Sequence, residues 1–264
     1  MRFAFLAVWA VALSAEDRTI PGEASAPYPT LTNLTVEWKI DGDDNRNGVV
    51  RVRYRPAGEP GWREAMPLRR VPAGESQGTT PIFRWENKHS GSIFDVQPGT
   101  TYDIHLQLED PEGGAAERTL TVRTRPVPRA RAGATVRQAA PGDIPAAEPG
   151  EVVLLGAGSY GRFTPRRDGE PERPIVYRSV DGGAVFESIV LDGRRYVYVE
   201  GVTVTNPSGT GVSLNGAEEC VVRRCRIQAT YGVRASRPPG CKICYVADKV
   251  IEGLSYKRRT SLNR

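Results

Sequence analysis

The chain has few lysines, no long apolar run and no obvious catalytic cluster. Only five of its 36 basic residues are lysines, so 31 are arginines. Lys/Arg runs interleaved with aromatic residues, which are typical of nucleic-acid binding, do not occur. No apolar run reaches the roughly 20 residues of a membrane-spanning helix. No His, Glu and Asp residues converge, so the catalytic residues stay unknown. We therefore expect no nucleic-acid partner and no stable membrane insertion.

Residues 1–15 differ in composition from the rest of the chain. Arg2 provides a positive start, an apolar run extends from Phe3 to Leu13, and Ser14 and Ala15 offer small side chains for cleavage. This order predicts a secretory signal, with a buried N-terminal strand as the alternative. The mature protein is then secreted, either extracellular or periplasmic.

Residues 26–126 have the pattern of a half-buried antiparallel sheet. Apolar and polar side chains alternate in residues 34–40 and again in residues 102–108. About seven short strands separated by Pro and Gly turns fit in this span, which predicts a β-sandwich. Residues 16–26 are polar and are predicted to be a loose leader. Residues 127–133 are rich in Pro, Ala and Arg and predict a linker.

The end of this module carries a family resemblance. Residues 96–102 and 118–125, with the strand between them, resemble the last third of a fibronectin type III domain. Tyr102 matches the tyrosine whose hydroxyl is hydrogen-bonded back to the chain in that family. Trp38 matches the core tryptophan. The resemblance implies a spacer or binding module over residues 26–126 and does not imply catalysis.

One loop of this module has the front half of a calcium-binding pattern. Carboxylate and amide side chains alternate at Asp43, Asn45 and Asn47, and Gly48 follows. The closing glutamate is absent, because Tyr54 occupies its position. We interpret the loop as a polar turn and keep calcium as the alternative. No other cofactor is evident, and we assign no metal ligand.

The C-terminal half contains a sequence repeat. Residues 196–206, 219–229 and 242–252 repeat one theme of short β-branched runs with Gly and Asn corners. A period of about 23 residues is typical of a β-solenoid, whose coils must stack to bury their inward faces. The predicted stacks are Val199, Val222 and Tyr245, then Val204, Ile227 and Val250, then Ile189, Val212 and Val233.

Two polar residues recur at the same phase of this repeat. Asn215 follows Asp192 by one repeat, and each of the two precedes a glycine. Short polar side chains tolerate left-handed backbone and hydrogen-bond along a corner. We predict a structural ladder here and not a ligand site.

The four cysteines all lie late in the chain, at Cys220, Cys225, Cys241 and Cys244. The phase of the repeat places Cys220 beside Ile243 and Cys244 beside Val221, among apolar stacks. We therefore predict buried, free cysteines. A Cys220–Cys241 disulfide between neighbouring coils is the second interpretation, and a zinc site is the third.

The opening of the C-terminal half carries a second resemblance. Residues 149–155, 158–160, 173–175 and 196–201 resemble the secreted polysaccharide lyases related to alginate lyase and chondroitinase B. The resemblance implies a right-handed parallel β-helix. Those lyases use a Lys/Arg pair and a calcium ion held by Asn and Glu on later coils, and none of these residues has a match here. Together these patterns predict an all-β protein, with a fibronectin type III-like β-sandwich followed by an incomplete parallel β-helix over residues 134–264.

Two further segments complete the C-terminal half. Residues 139–147 predict a short helix or turn. Residues 254–264 have no apolar cap for the last coil, although a solenoid end needs a cover. We therefore expect the β-helix to be truncated at its C-terminal end.

The arginines of the second repeat are the candidate substrate-binding residues. Arg223, Arg224 and Arg226 could bind sugar carboxylates through bidentate hydrogen bonds, with a solvated outer coil face as the alternative. We expect a monomer whose partner is an extracellular acidic polysaccharide. The full-length parent is predicted to be a polysaccharide lyase or glycoside hydrolase, and a non-catalytic adhesin-like scaffold is the alternative. Whether the chain is an enzyme stays open.

Overall fold

The structure is a computed structural model that describes residues 16–78, 82–229, 231–235, 241–247 and 249–252. Within these ranges the protein is all-β and has no helix that could cross a membrane. The chain divides between Val127 and Pro128 into two compact units. The predicted signal (residues 1–15) and the tail beyond residue 252 lie outside the described residues.

The N-terminal unit consists of antiparallel sheets that pack as a sandwich around one core. One sheet has the strand order β1-β2-β8-β5, the other has the order β10-β9-β3-β4, and β6 and β7 form a hairpin. The strands are β1 (Thr19–Ser25), β2 (Leu34–Gly42), β3 (Val49–Pro56), β4 (Arg63–Glu64), β5 (Arg69–Val71), β6 (Gly74–Glu75), β7 (Arg84–Trp85), β8 (Lys88–Ile93), β9 (Thr101–Glu109) and β10 (Ala116–Arg123).

The prediction of a loose leader over residues 16–26 is wrong. This segment contains β1, which pairs antiparallel with β2 across an irregularity between Pro21 and Ala24. Thr19 is buried, and its backbone N–H donates to the Asp110 carboxylate at 3.0 Å. The segment is polar because β1 is an edge strand with one solvated face, and this composition resembles that of a loop.

Two aromatic residues dominate the core of this unit. Trp38 and Tyr102 are almost completely buried, and the Trp38 indole Nε1 donates to the Gly22 carbonyl at 3.2 Å. The Tyr102 hydroxyl accepts a hydrogen bond from the Gln97 backbone N–H at 2.8 Å. The predicted hydrogen bond between the tyrosine hydroxyl and the upstream chain is therefore confirmed, with the hydroxyl as the acceptor.

Tyr102→Phe is expected to lower the free energy of unfolding of the N-terminal unit by about 1–2 kcal/mol, because the Gln97 N–H loses its acceptor. Denaturant unfolding followed by tryptophan fluorescence measures this loss, since all four tryptophans precede Val127. Tyr28→Phe is the matched control, because Tyr28 is 85% exposed. Equal unfolding midpoints for the two variants would contradict the assigned role.

The calcium-like loop makes its polar contacts within the protein. Asp43 is buried, and its carboxylate accepts hydrogen bonds from Arg70 Nε and from the Gly48 backbone N–H. His89 is also buried, with its Nε2 3.9 Å from the same carboxylate. These contacts fit the polar-turn interpretation, because the first potential calcium ligand already faces a guanidinium.

The C-terminal unit is a parallel β-solenoid with three sheets. The first sheet has the order β11-β12-β15-β18-β21-β24, the second β13-β16-β19-β22-β25 and the third β14-β17-β20-β23. The strands are β11 (Val136–Ala139), β12 (Val152–Leu155), β13 (Gly158–Ser159), β14 (Arg162–Phe163), β15 (Ile175–Ser179), β16 (Ala184–Phe186), β17 (Ser188–Val190), β18 (Val197–Glu200), β19 (Thr203–Asn206), β20 (Val212–Ser213), β21 (Val221–Arg223), β22 (Arg226–Ala229), β23 (Val233–Arg234), β24 (Tyr245–Ala247) and β25 (Val250–Glu252).

The predicted stacks are confirmed for the first coils and wrong for the last. Val199 pairs with Val222, Val204 with Ile227, and Ile189 with Val212 and then Val233. In the last coil Val222 pairs with Val246 instead of Tyr245, and Ile227 pairs with Ile251 instead of Val250. The connection from β23 to β24 is longer than the corresponding connection from β20 to β21. The spacing between stacked residues therefore increases by one residue in the last coil.

The start of the solenoid and one of its corners also test the sequence predictions. Residues 139–147 contain the end of β11 and a turn with a bridge from Ala140 to Asp143, and no helix. At the third-sheet corner the Asn215 backbone N–H donates to the Asp192 carboxylate at 2.9 Å, and its side-chain amide donates to the same carboxylate at 3.2 Å. The predicted Asp192–Asn215 ladder is therefore confirmed.

Candidate functional site

The candidate site is a charged ladder on the outer face of the first sheet. The parallel register pairs Arg178 of β15 with Glu200 of β18, and Glu200 with Arg223 of β21. Adjacent parallel strands lie about 4.8 Å apart, so in-register side chains on one face are in contact. A carboxylate thus lies between two guanidiniums from the neighbouring coils.

Three arginines surround the Glu200 carboxylate. Arg178 Nε donates to Oε2 at 2.7 Å, and Arg223 donates to Oε1 through both Nε, at 2.9 Å, and Nη2. Arg224, at the corner after β21, donates from Nη2 to Oε2 at 3.1 Å. The Glu200 side chain is only 1% exposed because these guanidiniums cover it. We call Glu200 and these three arginines the Glu200 cluster.

The corner conformation brings Arg224 into the cluster. Arg224 has a positive φ of 54°, and it follows Gly201 by one coil, with Gly201 at a φ of 68° at the equivalent corner. Left-handed backbone is costly for arginine and free of steric cost for glycine. The hydrogen bond to Glu200 compensates part of that cost.

The electrostatics of the cluster are positive overall. Burial on its own would raise the pKa of the Glu200 carboxyl, but hydrogen bonds from Arg178 and Arg223 outweigh it and hold the pKa below its ordinary value. Glu200 is therefore ionised at neutral pH and neutralises one guanidinium. Two positive charges remain.

An open cleft of about 350 Å³ adjoins this excess charge. Its lining includes Arg178, Glu200 and Arg224 together with the corner residues Val180 and Gly201. The Arg178 and Arg224 side chains are 38% and 56% exposed, whereas Arg223 is 11% exposed. A guanidinium carries five donor hydrogens, and Arg178 and Arg224 each use one of them on Glu200. Both can therefore donate to a second anion in the cleft.

The structure brings together two of the three arginines predicted from sequence. Arg223 and Arg224 both belong to the Glu200 cluster. Arg223 is hydrogen-bonded to Glu200 and does not line the cleft. Arg226 lies past the corner on β22 of the second sheet, where it pairs with Thr203, and it does not line the cleft. Arg178 and Glu200 were missed, although the phase that aligned Val199 with Val222 also aligns Glu200 with Arg223.

No group of three or more His, Cys, Asp and Glu side chains is placed to hold a metal ion within the described ranges. The four cysteines there are free; Cys220 and Cys225 are buried and the other two are half-buried. This confirms the prediction of burial for the first pair.

Comparison with known proteins adds little. No protein-family model and no curated protein matches the chain. Among solved structures, a computationally redesigned β-sandwich protein matches with 16% identity over 41% of this chain and 96% of that chain, with a TM-score of 0.24. The family 28 exopolygalacturonase of Yersinia enterocolitica matches with 8% identity over 88% of this chain and 70% of that chain, with a TM-score of 0.25. Neither likeness carries an argument about function.

Proposed function

We propose that the solenoid binds an acidic polysaccharide through its uronate carboxylates. The observation that carries this proposal is the Glu200 cluster, in which one carboxylate fixes three guanidiniums and leaves two positive charges beside an open cleft. Arginine is the side chain best suited to bidentate carboxylate recognition. Glu200 orders the guanidiniums before the ligand arrives, which lowers the entropic cost of binding.

The arrangement favours a polymer over a small acid. The cleft is open and lies where the outer face of the first sheet meets its corner. Only a part of a ligand can be covered there, and small ligands usually bind in enclosed pockets. A polymer can place several carboxylates along the face, so weak contacts at each sugar add up through multivalency.

Removing the exposed guanidiniums should abolish most of this binding. The double substitution Arg178→Gln/Arg224→Gln is expected to weaken binding of polygalacturonate or alginate about tenfold or more, because two charge-assisted hydrogen bonds are lost. Arg223 stays in place, so Glu200 keeps a partner. Isothermal titration calorimetry at low ionic strength, and again at high salt where binding should weaken, measures the effect.

Two controls locate the site. Dextran is a neutral polymer and should not bind if carboxylates are recognised. Arg226→Gln removes an exposed arginine from the second sheet and should leave the affinity unchanged. Loss of binding with Arg226→Gln but not with the double substitution would move the site off the Glu200 cluster.

The enzymatic interpretation belongs to the same proposal. The segments that resemble polysaccharide lyases form β12, β13, β15 and β18, so they supply solenoid strands. A lyase needs a base for the C5 proton and a cation to neutralise the uronate. The Glu200 cluster offers the cations, whereas Glu200 is buried and its pKa is lowered by the arginines, so the base stays unassigned. Unsaturated, ultraviolet-absorbing ends released from the bound polymer would show a lyase, and binding without such ends supports a non-catalytic scaffold.

We propose that the N-terminal unit is a fibronectin type III-like spacer or binding module. Buried Trp38 and the Tyr102 hydrogen bond support this proposal. The proposed ligand is extracellular or periplasmic, in keeping with the secretory signal predicted for residues 1–15.

A further inference from the structure

Three cysteines gather at one corner of the solenoid. The longer phase of the last coil changes their predicted neighbours. Val221 pairs with Tyr245, and the Tyr245 backbone N–H donates to the Cys220 carbonyl at 2.8 Å. Cys220 therefore lies opposite Cys244, and the predicted pairing with Ile243 is wrong.

A recurring backbone feature of the coils sets this alignment. Tyr196, Glu219 and Ile243 each have a positive φ, between 51° and 54°. The residue after each of them is Val197, Cys220 or Cys244; Val197 starts β18, and the two cysteines directly precede β21 and β24 at the same register position, which gives the stack Val197, Cys220 and Cys244. Val197 and Cys220 are completely buried, and Cys244 packs against the same core. The corner thus directs two sulfur atoms inward from neighbouring coils.

The thiols are close enough to shift one another's pKa values through side-chain hydrogen bonds, Cys244 to Cys220 and Cys241 to Cys244. The Cys220 thiol also donates to the Arg194 carbonyl at 3.3 Å, and the Cys244 thiol to the Lys242 carbonyl at 3.5 Å. The spacing of about 4.8 Å between adjacent strands also lies within the Cα separation that disulfides span, roughly 4.4–6.8 Å. Cys225 is apart from this group, with its thiol directed to the Val199 and Arg223 carbonyls.

We propose that Cys220 and Cys244 form a reversible disulfide that fastens the last described coil to the coil before it. This coil needs such a fastening, because the β24 residues are only half-buried and Val246, Cys241 and Cys244 pack at the margin of the core. The proposal concerns the solenoid itself and does not depend on the proposed polysaccharide ligand.

Hydrogen bonds and burial give the three thiols different roles. The hydrogen bond from Cys244 lowers the pKa of the Cys220 thiol, and burial opposes it. The reciprocal hydrogen bond, together with burial, raises the pKa of Cys244. Burial raises the pKa of Cys241 to about 12, so this thiol stays protonated. Cys244 is half-buried and Cys220 is completely buried, so Cys244 is the thiol that meets an oxidant first.

The oxidant is a low-molecular-weight disulfide. The half-buried Cys244 thiol loses its proton to solvent and attacks one sulfur of the oxidant, and one thiolate leaves. Cys220 then loses its own proton to solvent and attacks the Cys244 sulfur, which expels the second thiolate. The two cysteines lose two electrons, which reduce the oxidant to two thiols after protonation.

The test uses the full chain in glutathione buffers of increasing disulfide content. After alkylation of the remaining thiols, peptide mapping should show a Cys220–Cys244 bridge. Oxidation should slow hydrogen exchange at the Tyr245 amide by about tenfold or more, because the bridge removes conformational freedom from the opened coil and restrains the hydrogen bond to Cys220.

Three variants keep the proposal open to refutation. Cys225→Ala should retain the bridge, and so should Cys241→Ser. Cys244→Ser keeps Cys220 in the core and should remove both the bridge and the effect of oxidant on Tyr245 exchange. A bridge that maps to Cys241–Cys244 or Cys220–Cys241, or four cysteines that all stay alkylatable, would overturn the proposal.

Discussion

Glu200→Gln is expected to lower the free energy of unfolding of the C-terminal unit by about 3 kcal/mol. The substitution keeps the shape of the side chain and removes its charge. Three guanidiniums then face one another without a counter-ion. Arg178 and Arg224 are exposed enough to turn toward water, but Arg223 is 11% exposed and cannot. The loss therefore lies at the lower end of what removing one partner of a buried ion pair costs.

The measurement separates the two units spectroscopically. Trp38, Trp62 and Trp85 lie in the described part of the N-terminal unit, and no tryptophan follows Val127 in the sequence, so tryptophan fluorescence of the chain without residues 1–15 follows the N-terminal unit. Far-ultraviolet circular dichroism follows both units. Glu200→Gln should shift the circular dichroism transition to lower denaturant and leave the fluorescence transition in place.

Glu218→Gln is the matched control for this substitution. Glu218 forms an ion pair with Arg195 at 3.4 Å, but the two side chains are 34% and 63% exposed. Such surface pairs contribute about 0–1 kcal/mol. If Glu200→Gln and Glu218→Gln shift the transition equally, Glu200 does not hold the cluster together.

The effect of Glu200 should also depend on pH. Its pKa in the folded protein is below the ordinary value of 4.5. A carboxyl with a lowered folded-state pKa adds stability above its unfolded-state pKa and loses it as the pH falls through the folded value. The difference in stability between wild type and Glu200→Gln should thus be constant from neutral pH to about 5, and should decrease below 4.5.

The sequence predicts the solenoid well because its strands repeat. Val199, Val204 and Ile189 lie on the stacks that the constant phase predicts. The same spacing wrongly predicts the partners of Val222 and Ile227 as Tyr245 and Val250. The connection before the last coil is longer, and the residues of the strands give no indication of its length. The longer spacing also places Cys244, and not Ile243, opposite Cys220.

The candidate site was harder to predict for a different reason. Alternation along β18 directs Glu200 outward, and an outward glutamate is normally solvated. It is buried because Arg178 and Arg223 arrive from the neighbouring coils on either side, and these two coils differ in length by one residue. A fixed period finds only one of these partners. The burial of Glu200 by arginines thus depends on the neighbouring coils, and the sequence of a single repeat does not reveal it.

Phe186→Ala is expected to lower the free energy of unfolding of the C-terminal unit by about 3–5 kcal/mol. Phe186 is 1% exposed, and its ring stacks on Tyr160 with a centroid distance of 5.0 Å. The Phe163 ring lies 5.6 Å away on a second side. Removal of the ring leaves a cavity between large side chains that interior packing cannot easily fill.

The position of Phe186 in the stack explains why the loss should be large. Phe186 pairs with Val204 of the next coil, so its ring fills the core between Tyr160 on one side and Val204 on the other. In a solenoid each coil is stabilised mainly by its neighbours, so a cavity at this level weakens two interfaces at once. Phe186→Leu leaves a smaller cavity and should lose less.

Circular dichroism of denaturant unfolding tests this prediction on the full chain, with the tryptophan signal as the internal reference. Val180→Ala is the control from the same coil, because Val180 is 67% exposed and its truncation should change the free energy by less than about 0.5 kcal/mol. The order of stability should be Val180→Ala, then Phe186→Leu, then Phe186→Ala. A Phe186→Ala variant as stable as Val180→Ala would mean that the aromatic contacts at the start of the solenoid do not support its coils.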